Sequence, residues 1–589
     1  MPSLFEVNKL MHQVMSGQLS RRDFVKRLTA LGFTVPAISA FLAACGDSNT
    51  SAPPTAAAGG TTPPSGTETT SATAGETPSA SDSGNAASQG EGKRGGVLKV
   101  ALNTDLASAD IMWGSPDINR DVMGHVYEYL YTMSEGNDYI PDLAEGDMEV
   151  STDGKEFTIK LRQGVTFHNG KEMTSADVVA SLERWRRMTS RGQAILENLA
   201  SLTRPDDYTV KFTFTEPNGG LLFALGHYGG LAVVLPAEIV EKYYDPVSNE
   251  DKEIAEQDAI GTGPYKLQQW VRDNVITLVR NEDYTPREEP SDGRGGKRHA
   301  YVDEIHLIPV PDANTRLNGL ISGEYHLSYS VAPAQYEQVA GDPNLTAFII
   351  KPGSKAVAVF NKKLGPFTDQ RLRQAALAAT DPFEVMAGAV DDDQFYACFA
   401  SLAGPEWSFW YTEVGKELYE TRDLDRAKRL LEESGYSGEK LRWITTRDFD
   451  YMYRTALVAS EQWAEAGFNI ELIVSDWPTV VSNRSKPEEY EIFSTGIGFA
   501  GDPLGTSAYR PDWPGWTTSP GVTGAAEALI TETDPAKRKK LWEDLQRAFY
   551  EEVPYIQFGE LYTFRAARTE VKNFSSRSDL MLWNVWLDQ

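Results

Sequence analysis

Cysteine is nearly missing from this chain: of 589 residues only Cys45 and Cys398 carry a thiol. An intrachain disulfide within the part that follows Cys45 is therefore excluded, as is a thiolate metal site. Cys398, set in Phe395-Tyr396-Ala397-Cys398-Phe399, reads as a small buried hydrophobe rather than a nucleophile. Basic charge is also short, with 56 Lys and Arg against 84 Asp and Glu, for a net charge of −28. That balance argues against a nucleic-acid partner and against a basic membrane-binding patch, both of which need clustered cations. The chain lacks GxSxG and HExxH, and its histidines (His125, His168, His227, His299, His306 and His326 after the N-terminal region) have no paired metal spacing. No metal and no cofactor is expected. Apart from one N-terminal segment there is no long apolar run, and residues 46–94 have hardly an aliphatic side chain larger than alanine.

The N-terminal segment has a meaning of its own. Ser20-Arg21-Arg22-Asp23-Phe24-Val25-Lys26 matches the twin-arginine export pattern, with Arg21 and Arg22 as the paired cations. An apolar stretch over 28–42 follows, too short and too interrupted by Gly32 and Pro36 for a good membrane span. It ends on Leu42-Ala43-Ala44-Cys45, similar to a bacterial lipobox, in which Cys45 takes lipid and becomes the new N-terminus. The alternative is an uncleaved signal anchor, which delivers the chain to the same side of the membrane. Residues 46–94, rich in Gly, Ser, Thr, Ala and Pro, then form a flexible linker that cannot build a core. At about 5–6 Å times the square root of its length it spans some 40 Å.

From residue 95 onward the chain is rich in aromatic residues and long enough for more than one lobe. A strand over 97–102 breaks into Asn103-Thr104-Asp105, where polar groups emerge at a strand end, so Asn103 and Thr104 are candidate ligand contacts. Residues 156–162 alternate as a half-buried strand, and Thr174 caps a helix carrying Val178, Val179, Leu182 and Trp185 on one face. Gly261, Gly263 and Pro264 punctuate a turn into a strand over 265–270. A helix over 425–434 stopped by Gly435, a helix over 451–466 and a strand over 469–474 give a βαβ-like alternation. After the strand 490–495, Gly496-Ile497-Gly498-Phe499-Ala500-Gly501 spells GxGxxG. Dinucleotide binding is rejected, since Pro503, Pro511, Pro514 and Pro520 leave no helix to hold a pyrophosphate.

Several blocks together resemble the family 5 extracellular solute-binding proteins, the oligopeptide and dipeptide receptors of ABC importers. They are Pro141-Asp142-Leu143-Ala144-Glu145, the run from Ser151 through His168-Asn169-Gly170 to Val179, Gly261 to Trp270, and Asn281-Glu282-Asp283-Tyr284. Val302-Asp303-Glu304-Ile305, Pro366-Phe367 with Arg371 to Ala375, and Asp423 to Tyr436 complete the series. The family region runs over about 140–500. The resemblance implies a two-lobed α/β clamshell with mixed sheets and flanking helices, of the type II, large cluster C-like kind. Lobe I would take 95–309 plus 557–589, and lobe II 310–556, with ligand enclosed by hinge closure. It further implies no enzyme activity, a small solute such as a peptide as ligand, and the membrane subunits of an ABC permease as partner.

The family's aromatic, two small residues and aspartate fit Phe499-Ala500-Gly501-Asp502, with Asp502 pairing the ligand's ammonium group. Here Asp502 runs straight into Pro503, a departure from relatives with intervening residues, so a helix-cap or turn aspartate stays open. Gly498 and Gly501 allow close backbone approach to a ligand. Trp477 and Trp516, with Trp407, Trp410 and Trp513, lie in loop-like stretches where rings contact ligand or simply pack the core. An oligosaccharide or other small solute is the alternative ligand, a nickel or haem receptor has no motif in support, and an exported hydrolase is the remote alternative. The expected molecule is a monomer anchored outside the cytoplasm. Replacing Cys45 by serine should release the protein from membranes into the soluble fraction, and Arg21→Lys/Arg22→Lys should hold the precursor inside the cell. Membrane fractionation with intact-mass measurement checks both, and an unchanged membrane fraction for Cys45→Ser contradicts the lipid anchor.

Overall fold

The computed structural model describes residues 92–113 and 117–588. Arg21, Arg22, Cys45 and nearly all of the linker lie outside them. Among the described residues no helix is long and apolar enough to cross a membrane.

The locally legible elements form much as their sequence patterns dictate. The first strand is Val97–Leu102, and alternation produces Glu156–Lys160, whose Phe157 and Ile159 are buried while its ends are exposed. Helix Ser175–Met188 begins where expected, with the Asp177 carboxylate accepting from the Thr174 amide at 2.9 Å and its hydroxyl at 3.1 Å. Helices Leu424–Glu433 and Asp450–Ala466 and strand Ile470–Val474 follow in order, the first ended by Gly435 in a left-handed conformation (φ 75°). Gly261 and Gly263 serve packing as well as turning, since a Cβ on either would lie 2.0 Å from the Val126 carbonyl or 2.4 Å from that of His125. The stretch after residue 502 is less irregular than its prolines suggest: Pro520 opens the helix Pro520–Thr531 from its first turn, where a missing N–H costs nothing.

One mixed sheet of eleven strands runs through the molecule. Strand Val97–Leu102 pairs in parallel with Glu304–Pro309 and Leu327–Val331. Leu327–Val331 pairs antiparallel with Tyr555–Arg568, which in turn pairs antiparallel with Leu345–Phe360. The sheet continues through Ile492–Ile497 and Leu441–Thr445 to Ile470–Val474. A separate four-stranded antiparallel sheet, including Glu156–Lys160 and Thr209–Phe214, lies beside helix Ser175–Met188.

Two large apolar cores flank this arrangement. The first draws on residues between Leu98 and Leu307 and on the C-terminal stretch from Ala567 to Leu587. The second is built from Ala356 to Phe558, with Trp443 stacked on Trp463 at 5.1 Å and the Trp463 indole donating to the Thr380 hydroxyl at 2.8 Å. The longest strands run from the second core toward the first, and Met133 and Tyr228 also pack between them. Leu345–Phe360 follows Tyr555–Arg568 over most of its length, but the register breaks between Ile350 and Ser354. At that break a Cβ on Gly353 would lie 1.7 Å from the Leu561 carbonyl oxygen, so the strands approach there as only glycine permits.

Candidate functional site

The break in the two long strands forms the floor of a cleft of about 1050 Å³. Pro352, Gly353 and Ser354 line it from one strand, and Leu561, Tyr562 and Thr563 from the other. One wall presents Asn103, Asn137, His227, Tyr228, Tyr329, Arg565 and Ser578, the other Phe395, Trp407, Phe449, Tyr451, Arg454 and the Gly498–Phe499–Ala500 turn. Aromatic rings join the walls: Trp407 lies edge-on to Phe499 at 5.3 Å and near-parallel to His227 at 6.5 Å. Volume, apolar lining and a few convergent polar groups are the ordinary attributes of a small-solute site.

Direct hydrogen bonds draw the walls together beside the cleft. The Tyr139 hydroxyl donates to the Gly501 carbonyl at 3.0 Å, and the Trp410 indole to the same oxygen at 3.1 Å. The Asn137 amide donates to the Glu406 carbonyl at 2.7 Å, and the Gly219 amide to that of Ile530 at 2.7 Å. Burial, and next the Asp502 charge, raise the Tyr139 pKa well above that of free tyrosine, so it stays a donor.

Of the residues picked out by sequence, Asn103, Gly498 and Phe499 line the cleft. Asp502 does not. Its carboxylate is 3 % exposed, pairs with Arg538 at 2.6 Å and accepts from the Leu504 amide at 3.0 Å. It caps the short turn Pro503–Gly505, the local role that the immediate Asp-Pro sequence leaves open. Burial raises its carboxyl pKa while Arg538 opposes the shift, and both charges are spent on each other. Gly501 stands one layer behind the lining: its φ of 83° and the 2.5 Å that would separate a Cβ from the Tyr139 hydroxyl explain the glycine. Thr104 lies outside the lining. Trp477 packs edge-on against Phe449 at 5.4 Å, one residue removed from the cleft, and Trp516 packs against Tyr490 at 6.4 Å under Lys363, in the second core. Trp410 and Trp513 are likewise packing residues, the first edge-on to Trp542 and the second tilted against Phe493.

Sequence reasoning missed the polar groups in and behind the cleft walls. Arg565 donates to the carbonyls of Tyr329, Arg577, Ser578 and Asp579 at 2.8–3.2 Å and so fixes the loop behind the cleft. Asp579 bonds Arg294 at 2.7 Å and Arg577 at 3.3 Å; burial alone would raise its pKa, yet Arg577 and Arg294 hold it well below the usual carboxylate range. On the opposite rim Arg454 bonds Asp391 at 2.6 Å. Among the described residues no group of three or more His, Cys, Asp or Glu could hold a metal.

Residues 138–521 match the family model of bacterial extracellular solute-binding proteins, family 5. The chain belongs to that family. A receptor 26% identical over 512 residues, covering 83% of this chain and 93% of its own length, is described as a probable peptide ABC transporter periplasmic-binding protein of Sinorhizobium fredii. Among solved structures, the Helicobacter pylori periplasmic binding protein DppA in complex with the peptide STSA superposes with a TM-score of 0.64 at 23% identity. It covers 84% of this chain and 99% of that one. AgaA of A. tumefaciens R10 in complex with agropinic acid gives 0.63 at 25% identity, over 84% and 99%. This family 5 protein therefore has the two-lobed binding-protein fold and is a transport receptor, not an enzyme.

The Asp502–Arg538 pair yields a prediction. Asp502→Asn strands a buried guanidinium and should cost about 3–5 kcal/mol of stability, while Asp502→Asn/Arg538→Gln should recover most of the loss. Calorimetric melting of wild type, both single variants and the double variant tests this. Unchanged melting of Asp502→Asn with a weakened solute affinity would return Asp502 to the cleft.

Proposed function

We propose that this protein is the lipid-anchored, extracytoplasmic receptor of an ABC importer, capturing short peptides in the cleft and passing them unaltered to the membrane permease. The observation that bears the reading is the cleft itself: about 1050 Å³, walled by aromatic rings, with strand backbone and open side-chain donors at its floor. Extended peptides are recognised through main-chain hydrogen bonds, with pockets left for side chains, and the register break at Ile350–Ser354 brings strand backbone into the lining at Pro352, Gly353 and Ser354. The description of the Sinorhizobium relative supports the peptide assignment. Two lobes, 95–309 plus 557–589 and 310–556, would close about the long strands; the separation of the two apolar cores supports that division. A monomer tethered through Cys45 by the 46–94 linker suffices for the task, because each chain contains a whole cleft.

A different small solute is the second reading, favoured by the Trp407 face within the cleft and by the agropinic acid complex of AgaA. Isothermal titration of the full chain with a tripeptide library, cello- and xylo-oligosaccharides, and sugar–amino acid conjugates separates the two. Saturable peptide binding, with Trp407→Ala weakening it by about 1–2 kcal/mol through lost ring contact, is expected. Saccharide binding without peptide binding would overturn the peptide assignment and leave the receptor assignment standing.

A further inference from the structure

His227 occupies a position that the peptide reading does not by itself explain. It ends the helix Leu221–Gly226 and starts the turn Tyr228–Gly230, and it lines the cleft although only 7 % exposed. Its tautomer follows from geometry: the Gly229 amide donates to Nδ1 at 3.1 Å, so that nitrogen is an acceptor and Nε2 must carry the proton. Arg191 also approaches Nδ1, at 3.5 Å. No protein acceptor takes Nε2 among the described residues, which leaves a buried N–H donor facing a cavity.

The charge behind this donor is mostly positive, although Asp117 pairs with Arg120 and Asp502 acts on Arg191. Arg191, on the helix Ser190–Ile195, lies over the Phe223 ring at 4.6 Å and has no carboxylate within ion-pair distance among the described residues. Arg120 and Arg294 flank the neighbouring Tyr228 ring at 5.6 and 5.3 Å. The carboxylate nearest in effect, Asp579, is already shared between Arg294 and Arg577. Burial, and then Arg191, Arg120 and Arg294, keep the ring neutral with its pKa well below that of free histidine, while the committed Asp579 carboxylate opposes the shift. An unpaired guanidinium in a low-dielectric wall favours an anion in the adjoining space.

We propose that His227, with Arg191 behind it, is the cleft's carboxylate subsite: Nε2–H donates to an anionic oxygen of the ligand and Arg191 supplies the balancing charge. The inference rests on the cleft being the solute site and, for a peptide, assigns the C-terminus to the His227–Tyr228 wall. The Arg454 rim, which includes Asp391, Asp392 and Asp450, then lies toward the other end of the ligand.

Isothermal titration of the full-length protein with Phe-Ala-Phe as free acid and as C-terminal amide tests it. The free acid should bind at least about tenfold more tightly, the range of one charge-assisted hydrogen bond. That advantage should shrink toward unity in Arg191→Gln and in His227→Phe, with melting curves confirming folding. Arg191→Gln removes no ion pair and keeps the test open if His227→Phe fails to fold. Equal binding of acid and amide would overturn the subsite while leaving the peptide receptor intact. If neither peptide binds, the peptide reading fails, and the subsite is judged with 8-anilinonaphthalene-1-sulfonate against uncharged N-phenyl-1-naphthylamine. A preference for the anion that Arg191→Gln abolishes supports it, and a preference that is absent or survives that variant overturns it.

Discussion

The pairing of two long strands, Leu345–Phe360 with Tyr555–Arg568, is the constraint on which the rest depends. Their outer halves, Leu345 to Ile350 against Thr563 to Arg568, pack mainly in a smaller cluster with Leu317, Leu320 and Val339 and touch the first core through Phe348 and Ala567, and the inner halves, Ser354 to Val359 against Tyr555 to Leu561, enter the second. A sheet interior resists bending because each backbone group is already paired. The register break at Lys351–Gly353 interrupts the direct pairing of the two strands, and it is also the floor of the cleft. In the proposed receptor, the cleft floor and the strands that join the lobes share residues. In that reading a solute held between the walls would touch the strands that join the lobes, and binding would shift an open–closed equilibrium by differential contact.

Charge organises the cleft in a way its overall acidity hides. A net charge of −28 describes the surface, yet the wall carrying His227 and Tyr228 is backed by Arg120, Arg191, Arg294, Arg565 and Arg577. Most of these guanidinium groups are spent on structure: Arg565 on four carbonyls, Arg577 on the carbonyls of Ser134 and Glu135 and the Asn137 side chain, Arg294 on Asp579. Arg191 is the exception, held by ring and imidazole contacts rather than by a carboxylate. Asp502 shows the converse. A buried carboxylate with a dedicated arginine is electrostatically closed and offers a ligand nothing.

Much of the fold was legible because its signals are local. Alternation around Phe157 and Ile159, the cap at Thr174, the stop at Gly435 and the blocks from Pro141 to Tyr436 each act within a few residues, and their order identifies the family. The site was less legible because its chemistry depends on partners far apart in the chain. Arg538 lies 36 residues from Asp502, on the helix Pro535–Glu552, and nothing near Asp502 announces it. His227 looked featureless to a search for metal spacing; its role depends on the Gly229 amide and on an arginine 36 positions upstream. Tryptophans in proline-rich stretches divide only in three dimensions, Trp407 into the cleft and Trp516 into the core. The export signal and Cys45 fall outside the described residues and stand on the sequence pattern alone.

The two walls meet through the Tyr139–Gly501 and Gly219–Ile530 hydrogen bonds, and the proposed receptor cycle requires these contacts to part when the cleft opens. The direct measurement is the distance between spin labels on Val150→Cys and Ile530→Cys, both at exposed positions, in a Cys398→Ala background. It should be made by pulsed electron resonance on the full-length protein without solute and with the solute eluted from native protein. A long or broad distribution that collapses to a single shorter distance on binding is the expected result. One narrow distance, the same in both conditions, would contradict it.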